Sequence, residues 1–229
     1  MISASDKEVW NAEYSRPIIP GSIRKDPSHV LLLFEKLLQI RDMKAALDVG
    51  CGNGRNSVYL ASLGLGVEGI DFSTVALQAA KSLAKERGVA DRTHFLEADV
   101  LDNLPYPSSS FDLCLDLYVF PHFIDERAKR HYVQELYRVT KQGGYAISAV
   151  FELRDEYYGS MATSKHEPII VRDTGNKVVK ELYSEQSFRS RYSPPFGTKY
   201  FTEFEFKDSV QGKEYRRRIL TMALQKTGS

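Results

Sequence analysis

Along this chain, short and mostly apolar runs alternate with longer stretches in which apolar positions return every three or four residues. "AALDVG" (45–50) is a buried strand, and "RNSVYLASLG" (55–64) a helix closed by Gly64. "GVEGID" (66–71) is a second strand, and "FSTVALQAAKSLAKERG" (72–88) a helix capped by Ser73 and stopped by Gly88. "THFLEAD", "FDLCLDLYVF" and "YAISAVF" supply a third, fourth and fifth strand. "DERAKRHYVQELYRVTKQGG" between the last two is a helix expected to stop at Gly143-Gly144. Upstream, "SDKEVWNAEYSR" reads as an amphipathic helix. "HVLLLFEKLLQI" (29–40), capped from Pro27-Ser28, is apolar around so much of its circumference that it should pack on a sheet.

Strands separated by helices make βαβ units, hence a doubly wound, mostly parallel α/β sheet in three layers. The last third breaks the rhythm. Residues 152–183 carry scattered charge around the turn "DTGN", which suggests a lid-like insertion with a short hairpin. "SEQSFRSRYSP" is a short helix capped by Ser184 and stopped by Pro194. "KYFTEFEFKD" and "EYRRRILTMALQK" form an antiparallel pair about Gly212, so the sheet reaches seven strands with an antiparallel C-terminal edge. A single domain is expected: N-terminal helices over 1–44, a core over 45–151, the insertion over 152–183, and the closing helix and strands over 184–229.

Composition narrows the class. Apolar residues are 42%, charged residues 27% and the net charge +1, which argues against a nucleic-acid partner. "RAKRH" and "RRR" read as solvated faces. The two cysteines, Cys51 and Cys114, form no disulfide framework, and no Cys/His spacing suggests a metal. With no signal peptide or membrane span evident, the expectation is a soluble cytoplasmic protein, monomeric or homodimeric.

Gly50, Gly52 and Gly54 sit between the first strand and its helix, where a glycine-rich turn lets backbone approach a ligand. The spacing is G-x-G-x-G, with Arg55 where the dinucleotide fingerprint needs its third glycine, and no Gly-Lys-Ser/Thr follows. A bare turn is the alternative. Asp71 ends the second strand about 20 residues on, at the distance of a ribose-binding carboxylate. Asp99 ends the third, and Asp48 precedes the loop; singly, each acid could equally be a cap or a solvated charge.

Together these segments resemble the class I S-adenosylmethionine-dependent methyltransferases over residues 45–151. The likeness rests on "LDVGCGNG", "GIDFS", "EADV", "FDLCLD" and "ELYRVTKQGGYAIS", in that order. It implies S-adenosyl-L-methionine as cofactor, with Gly50, Gly52 and Gly54 against its methionyl and ribose part and Asp48 orienting the loop. Asp71 would hold the ribose hydroxyls with Phe72 beside it, Asp99 and Val100 the adenine, and Asp116 or Leu117 the sulfonium end. A carboxylate-rich site suits a cationic cofactor without a diphosphate. A narrower likeness links the chain to the tellurite-resistance and thiopurine methyltransferase subgroup, in which N-terminal aromatic residues close over the cofactor. Trp10 and Tyr14 are the candidates here, packing within the helix being the other reading.

Methyl transfer is an in-line displacement that needs alignment and exclusion of water. An O or N acceptor also wants a base, and His122 in "YVFPHFID" is the candidate, with Tyr118 lining the same pocket. His166, Tyr157 and Tyr158 lie in the lid-like insertion. The expected partner is a small-molecule methyl acceptor; the alternative is a cofactor-binding, regulatory or protein- or RNA-directed subunit working with a partner.

Overall fold

In the computed structural model, which describes residues 4–228, the apolar runs are strands of one sheet and the periodic stretches are its helices. The N-terminal part is α1 (Ala4–Ser15), α2 (Pro20–Ile23) and α3 (His29–Leu37). The core runs β1 (Ala45–Val49), α4 (Arg55–Ser62), β2 (Gly66–Asp71), α5 (Thr74–Glu86), β3 (Thr93–Glu97), β4 (Phe111–Leu117), α6 (Glu126–Val139), β5 (Thr140–Phe151). Then follow α7 (Glu156–Gly159), β6 (Ile169–Arg172), β7 (Val179–Leu182), α8 (Glu185–Tyr192), β8 (Gly197–Val210) and β9 (Lys213–Gln225).

The sheet order is β3-β2-β1-β4-β5-β9-β8. β1 to β5 pair in parallel, while β9 joins β5 and β8 antiparallel, as the alternation predicts. Strand order reverses between β1 and β4, which opens a crevice at the C-terminal strand ends. Side chains alternate across the sheet: Ala46 and Leu115 pack under α3, α4 and α5, whereas Leu47, Val49 and Cys114 pack under α6 and α8. Local signals hold. The hydroxyls of Ser28, Ser73 and Ser184 accept the N-terminal N–H groups of α3, α5 and α8, and Gln211-Gly212, both at positive φ, make the two-residue β8–β9 turn. Among the described residues no helix is long and apolar enough to cross a membrane.

Three expectations change. α6 ends at Val139, not at Gly143-Gly144. From β-branched Thr140 the chain is already strand, and the glycines serve an irregularity in the β4–β5 register. Gly143 has φ 77°, and a Cβ on Gly144 would stand 3.0 Å from the Asp112 carbonyl. α3 does pack on the sheet, through Val30, Leu31 and Phe34, but it is also a surface element, with Leu32, Leu33 and Leu37 exposed. Neither basic run is simply solvated. Lys129 of "RAKRH" is buried between Glu126 and Glu181, and the middle residue of "RRR", Arg217, is buried because β9 points Tyr215, Arg217 and Ile219 to one face.

Two segments close over the crevice. The insertion forms the β6–β7 hairpin, whose Val179 carbonyl reaches the turn after β4 at His122. α1 is tied to the core where the Ser73 hydroxyl donates to Asn11 Oδ1 (2.7 Å). It is tied to the hairpin where Asn176 Nδ2 donates to Glu13 Oε2 (3.0 Å). Glu13, itself buried, also accepts the N–H groups of Ile18 and Ile19, which fixes the turn out of α1.

Candidate active site

These elements surround a cavity of about 1020 Å³ at the C-terminal strand ends, at the upper end of the range for small-molecule pockets and roomy enough for two ligands. Its floor is the loop after β1. Gly50 (φ 60°) and Gly52 (φ 56°) are left-handed and line the cavity. A Cβ on Gly50 would collide with the Val119 side chain, and one on Gly52 with the Tyr14 hydroxyl, so both keep backbone bare where a ligand can touch it. Gly54 (φ 77°) does something else. Its missing Cβ would stand 2.7 Å from Ala80 Cβ, so it lets α4 approach α5 and does not line the cavity.

Asp71 closes β2 inside this floor. Its Oδ2 accepts the Gly52 N–H (2.9 Å) and its Oδ1 the Ser73 N–H (2.8 Å), which leaves lone pairs for hydroxyl donors. Burial raises its pKa to about 6, against the pull of those N–H groups. Phe72 lies beside it on the wall, and Val100 and Leu101 supply an apolar surface. Asp99 is not part of the lining; its Oδ1 accepts the Leu101 N–H and so shapes the turn that carries Val100. Asp48 is likewise beneath the floor, where it accepts from the Ser57 hydroxyl of α4 (2.6 Å).

Asp116 and Leu117 part company, because consecutive strand residues face opposite sides. Leu117 lines the cavity. Asp116 is fully buried on the far side, accepting from Ser148 Oγ, Phe120 N–H and the Tyr192 hydroxyl. It therefore braces α8 and the post-β4 turn and does not border the cavity. Trp10 and Tyr14 do border it from α1, with ring centroids 6.1 Å apart, and Trp10 meets the His122 ring edge-on at 5.1 Å.

Tyr118 has φ 71°, an outlying conformation for a bulky residue. Its N–H donates to Ala149 O (3.0 Å) and its ring stacks on Phe151 at 5.0 Å, so the strained turn fixes the side chain in the cavity wall. His122 lines the cavity too. Its Nδ1 stands 2.8 Å from the Val179 carbonyl, which can only accept, so Nδ1 carries the proton and Nε2 the lone pair. Burial and the nearby Lys180 charge push its pKa down to about 3. It is an acceptor of hydrogen bonds and a weak base.

Of the insertion residues, Tyr158 lines the cavity, Tyr157 lies behind it bonded to Asp173, and His166 is exposed. Arg55, Lys180 and Arg217 also line the cavity, none of them a site candidate on the sequence and Arg217 part of a run expected to be solvated. Arg217 could have been found from the period-2 pattern Tyr215, Arg217, Ile219; Lys180 carries no local signal. Charge of both signs thus lines the cavity: Asp71 and Arg55 near the glycine loop, and Lys180, Arg217 and Asp208 at the aromatic end.

The residues fit a nucleoside ligand: bare left-handed backbone, a buried carboxylate able to accept hydroxyls, and an apolar wall. Residues 46–144 match the family model described as a methyltransferase domain. A probable tocopherol O-methyltransferase from Oryza sativa subsp. japonica is 38% identical over 45% of this chain and 28% of its own length. Ajmaline N-methyltransferase from Rauvolfia serpentina is 30% identical over 58% of this chain and 44% of its own. The chain thus spans less than half the length of these relatives. The structure of the N-methyltransferase NodS from Bradyrhizobium japonicum WM9 with S-adenosyl-L-homocysteine shares the fold at a TM-score of 0.66. It is 13% identical, over 97% of this chain and 98% of that one.

Proposed function

We propose, from the premise that the chain carries a class I S-adenosylmethionine-dependent methyltransferase domain, that it methylates a small molecule bound at the aromatic, basic end of its cavity. The observation that carries this reading is buried Asp71, latched to Gly52 within a cavity large enough for cofactor and acceptor side by side. S-adenosyl-L-methionine supplies, when bound, a methyl carbon activated by positive sulfur. The chain's own residues bind and align. Gly50 and Gly52 offer backbone to the methionyl and ribose part, Asp71 accepts the ribose hydroxyls, and Val100 and Leu101 flank the base.

Leu117, Tyr118 and Trp10 keep water from the space between the two ligands, as a displacement at carbon requires. His122 Nε2 accepts an N–H or O–H of the acceptor and turns its lone pair along the line of attack. So weak a base orients the acceptor and does not deprotonate it in advance; the proton leaves to solvent once the new bond to the methyl carbon has made the acceptor acidic.

Calorimetric titration with S-adenosyl-L-methionine and S-adenosyl-L-homocysteine tests the reading. Both bind, and Asp71→Ala weakens binding by roughly 1.5–3 kcal/mol, the worth of hydrogen bonds to a charged group. Absence of heat with both compounds, or unchanged affinity in the variant, overturns it. Turnover with a panel of hydroxyl, amine and thiol acceptors then identifies the nucleophile.

A further inference from the structure

Lys180 (1% exposed) and Arg217 (4% exposed) are buried cations that both line the cavity. They lie against the same ring: Lys180 Nζ is 3.7 Å and Arg217 Cζ 4.9 Å from the Tyr158 centroid, with Phe151 at 5.6 and 5.0 Å. Their hydrogen bonds are unspent. Lys180 Nζ makes none to a described residue. Arg217 uses its Nε–H on Asp155 Oδ2 (2.8 Å), while its buried Nη2 has no partner.

Of the acids that balance these charges, Asp155 and Asp173 stand behind the wall and Asp208 lies in it paired with Arg24, and all are themselves occupied. Asp155 accepts the Tyr158 and Arg218 N–H groups as well as Arg217, and Asp173 accepts the Tyr157 hydroxyl and the Gly175 N–H. Neither lines the cavity. Two desolvated cations with spare donors are costly unless something anionic completes them. In the wall itself Asp208 acts on Arg217 but is already paired with Arg24, and among the described residues no wall carboxylate hydrogen-bonds the spare donors of Lys180 or Arg217.

We infer that Lys180 and Arg217 form an anion subsite for the methyl acceptor, which carries a carboxylate on an aromatic or otherwise flat apolar body. The body lies against Tyr118, Phe151 and Tyr158, and the carboxylate takes the spare Nζ and Nη donors. This rests on the methyltransferase reading and adds the acceptor's chemical class. Burial already lowers the Lys180 pKa to about 7, so a bound anion also restores its proton. A separate cation, Arg55, which opens α4 directly after the glycine loop and also lines the cavity, is available to the cofactor's own carboxylate.

The test is calorimetry on the full chain saturated with S-adenosyl-L-homocysteine, titrated with cinnamate and benzoate against cinnamamide and benzamide, and repeated without the cofactor product. At least one acid is expected to bind tenfold or more tighter than its amide. Lys180→Gln and Arg217→Gln should each bring that ratio near one while S-adenosyl-L-homocysteine affinity stays within twofold. Arg217→Gln leaves Asp155 buried and can fail to fold; Lys180→Gln, which breaks no hydrogen bond, then decides alone. Equal affinity of acid and amide, or no acid binding below 10 mM, overturns the subsite. So does loss of S-adenosyl-L-homocysteine affinity in Lys180→Gln, which would assign the two cations to the cofactor's carboxylate. If S-adenosyl-L-homocysteine fails to bind the unaltered chain, the methyltransferase reading falls, and the acid-to-amide ratio without it still judges the subsite separately.

Discussion

Asp71 is where one side chain couples folding, cofactor and pH. Its pKa in the fold, about 6, lies above the ordinary carboxylate value, so the folded state holds the proton more tightly than the unfolded chain. The stability it contributes is complete below about pH 4 and is lost as pH rises through 6. Ligand binding runs the other way, because ribose hydroxyls need the ionised acceptor. S-adenosyl-L-homocysteine affinity should therefore fall as pH drops below about 6 and level off above it. In Asp71→Asn that component should vanish from calorimetric titrations between pH 5 and 8. Asp48, also raised to about 6, does not line the cavity, so its titration should move stability and not this profile. The position of Asp71 was legible from its distance to the glycine loop. Its burial was not, since that depends on α1 closing over the site.

At the scale of elements, three glycines that look equivalent in the sequence do different work. Gly52 faces the cavity and Gly54 faces α5, a division set by how the loop enters α4. A Cβ at position 54 meets Ala80 Cβ at 2.7 Å and Ala80 Cα at 3.0 Å, and the backbone there cannot give way. Gly54→Ala should cost about 2–4 kcal/mol of stability from left-handed strain plus overpacking. Gly52→Ala meets only the far end of the Tyr14 side chain, which can swing aside, so its larger effect should be a loss of cofactor affinity. Chemical denaturation beside calorimetry on the two variants separates these roles; equal losses in both would refute the division. Strand parity sorts Asp116 from Leu117 and Arg217 from Arg216 in the same way, and parity can be read only once the register is known.

For the whole molecule, the N-terminal helix, the strand ends and the hairpin enclose one space, and Glu13 ties two of these walls together through Asn176. A ligand there should stabilise the entire fold. At a hundredfold excess over Kd, S-adenosyl-L-homocysteine should add about 2.7 kcal/mol and raise Tm by roughly 5–10 °C. The chain has one tryptophan, Trp10, in the cavity wall against His122, so its fluorescence should change over the same concentration range. A shift in Tm with silent fluorescence would mean that the ligand binds away from α1.

The sequence by itself determined the alternation of strands and helices, the serine caps, the β8–β9 turn and the place of the glycine loop with its carboxylate. Each of these depends on residues close along the chain, where period, capping and backbone freedom act directly. Tertiary structure alone decided that α6 gives way at once to β5, that Asp116 turns from the cavity, and that Lys180 and Arg217 meet over Tyr158. Those outcomes follow from strand register and from packing between segments distant in sequence, and no local pattern encodes such a meeting.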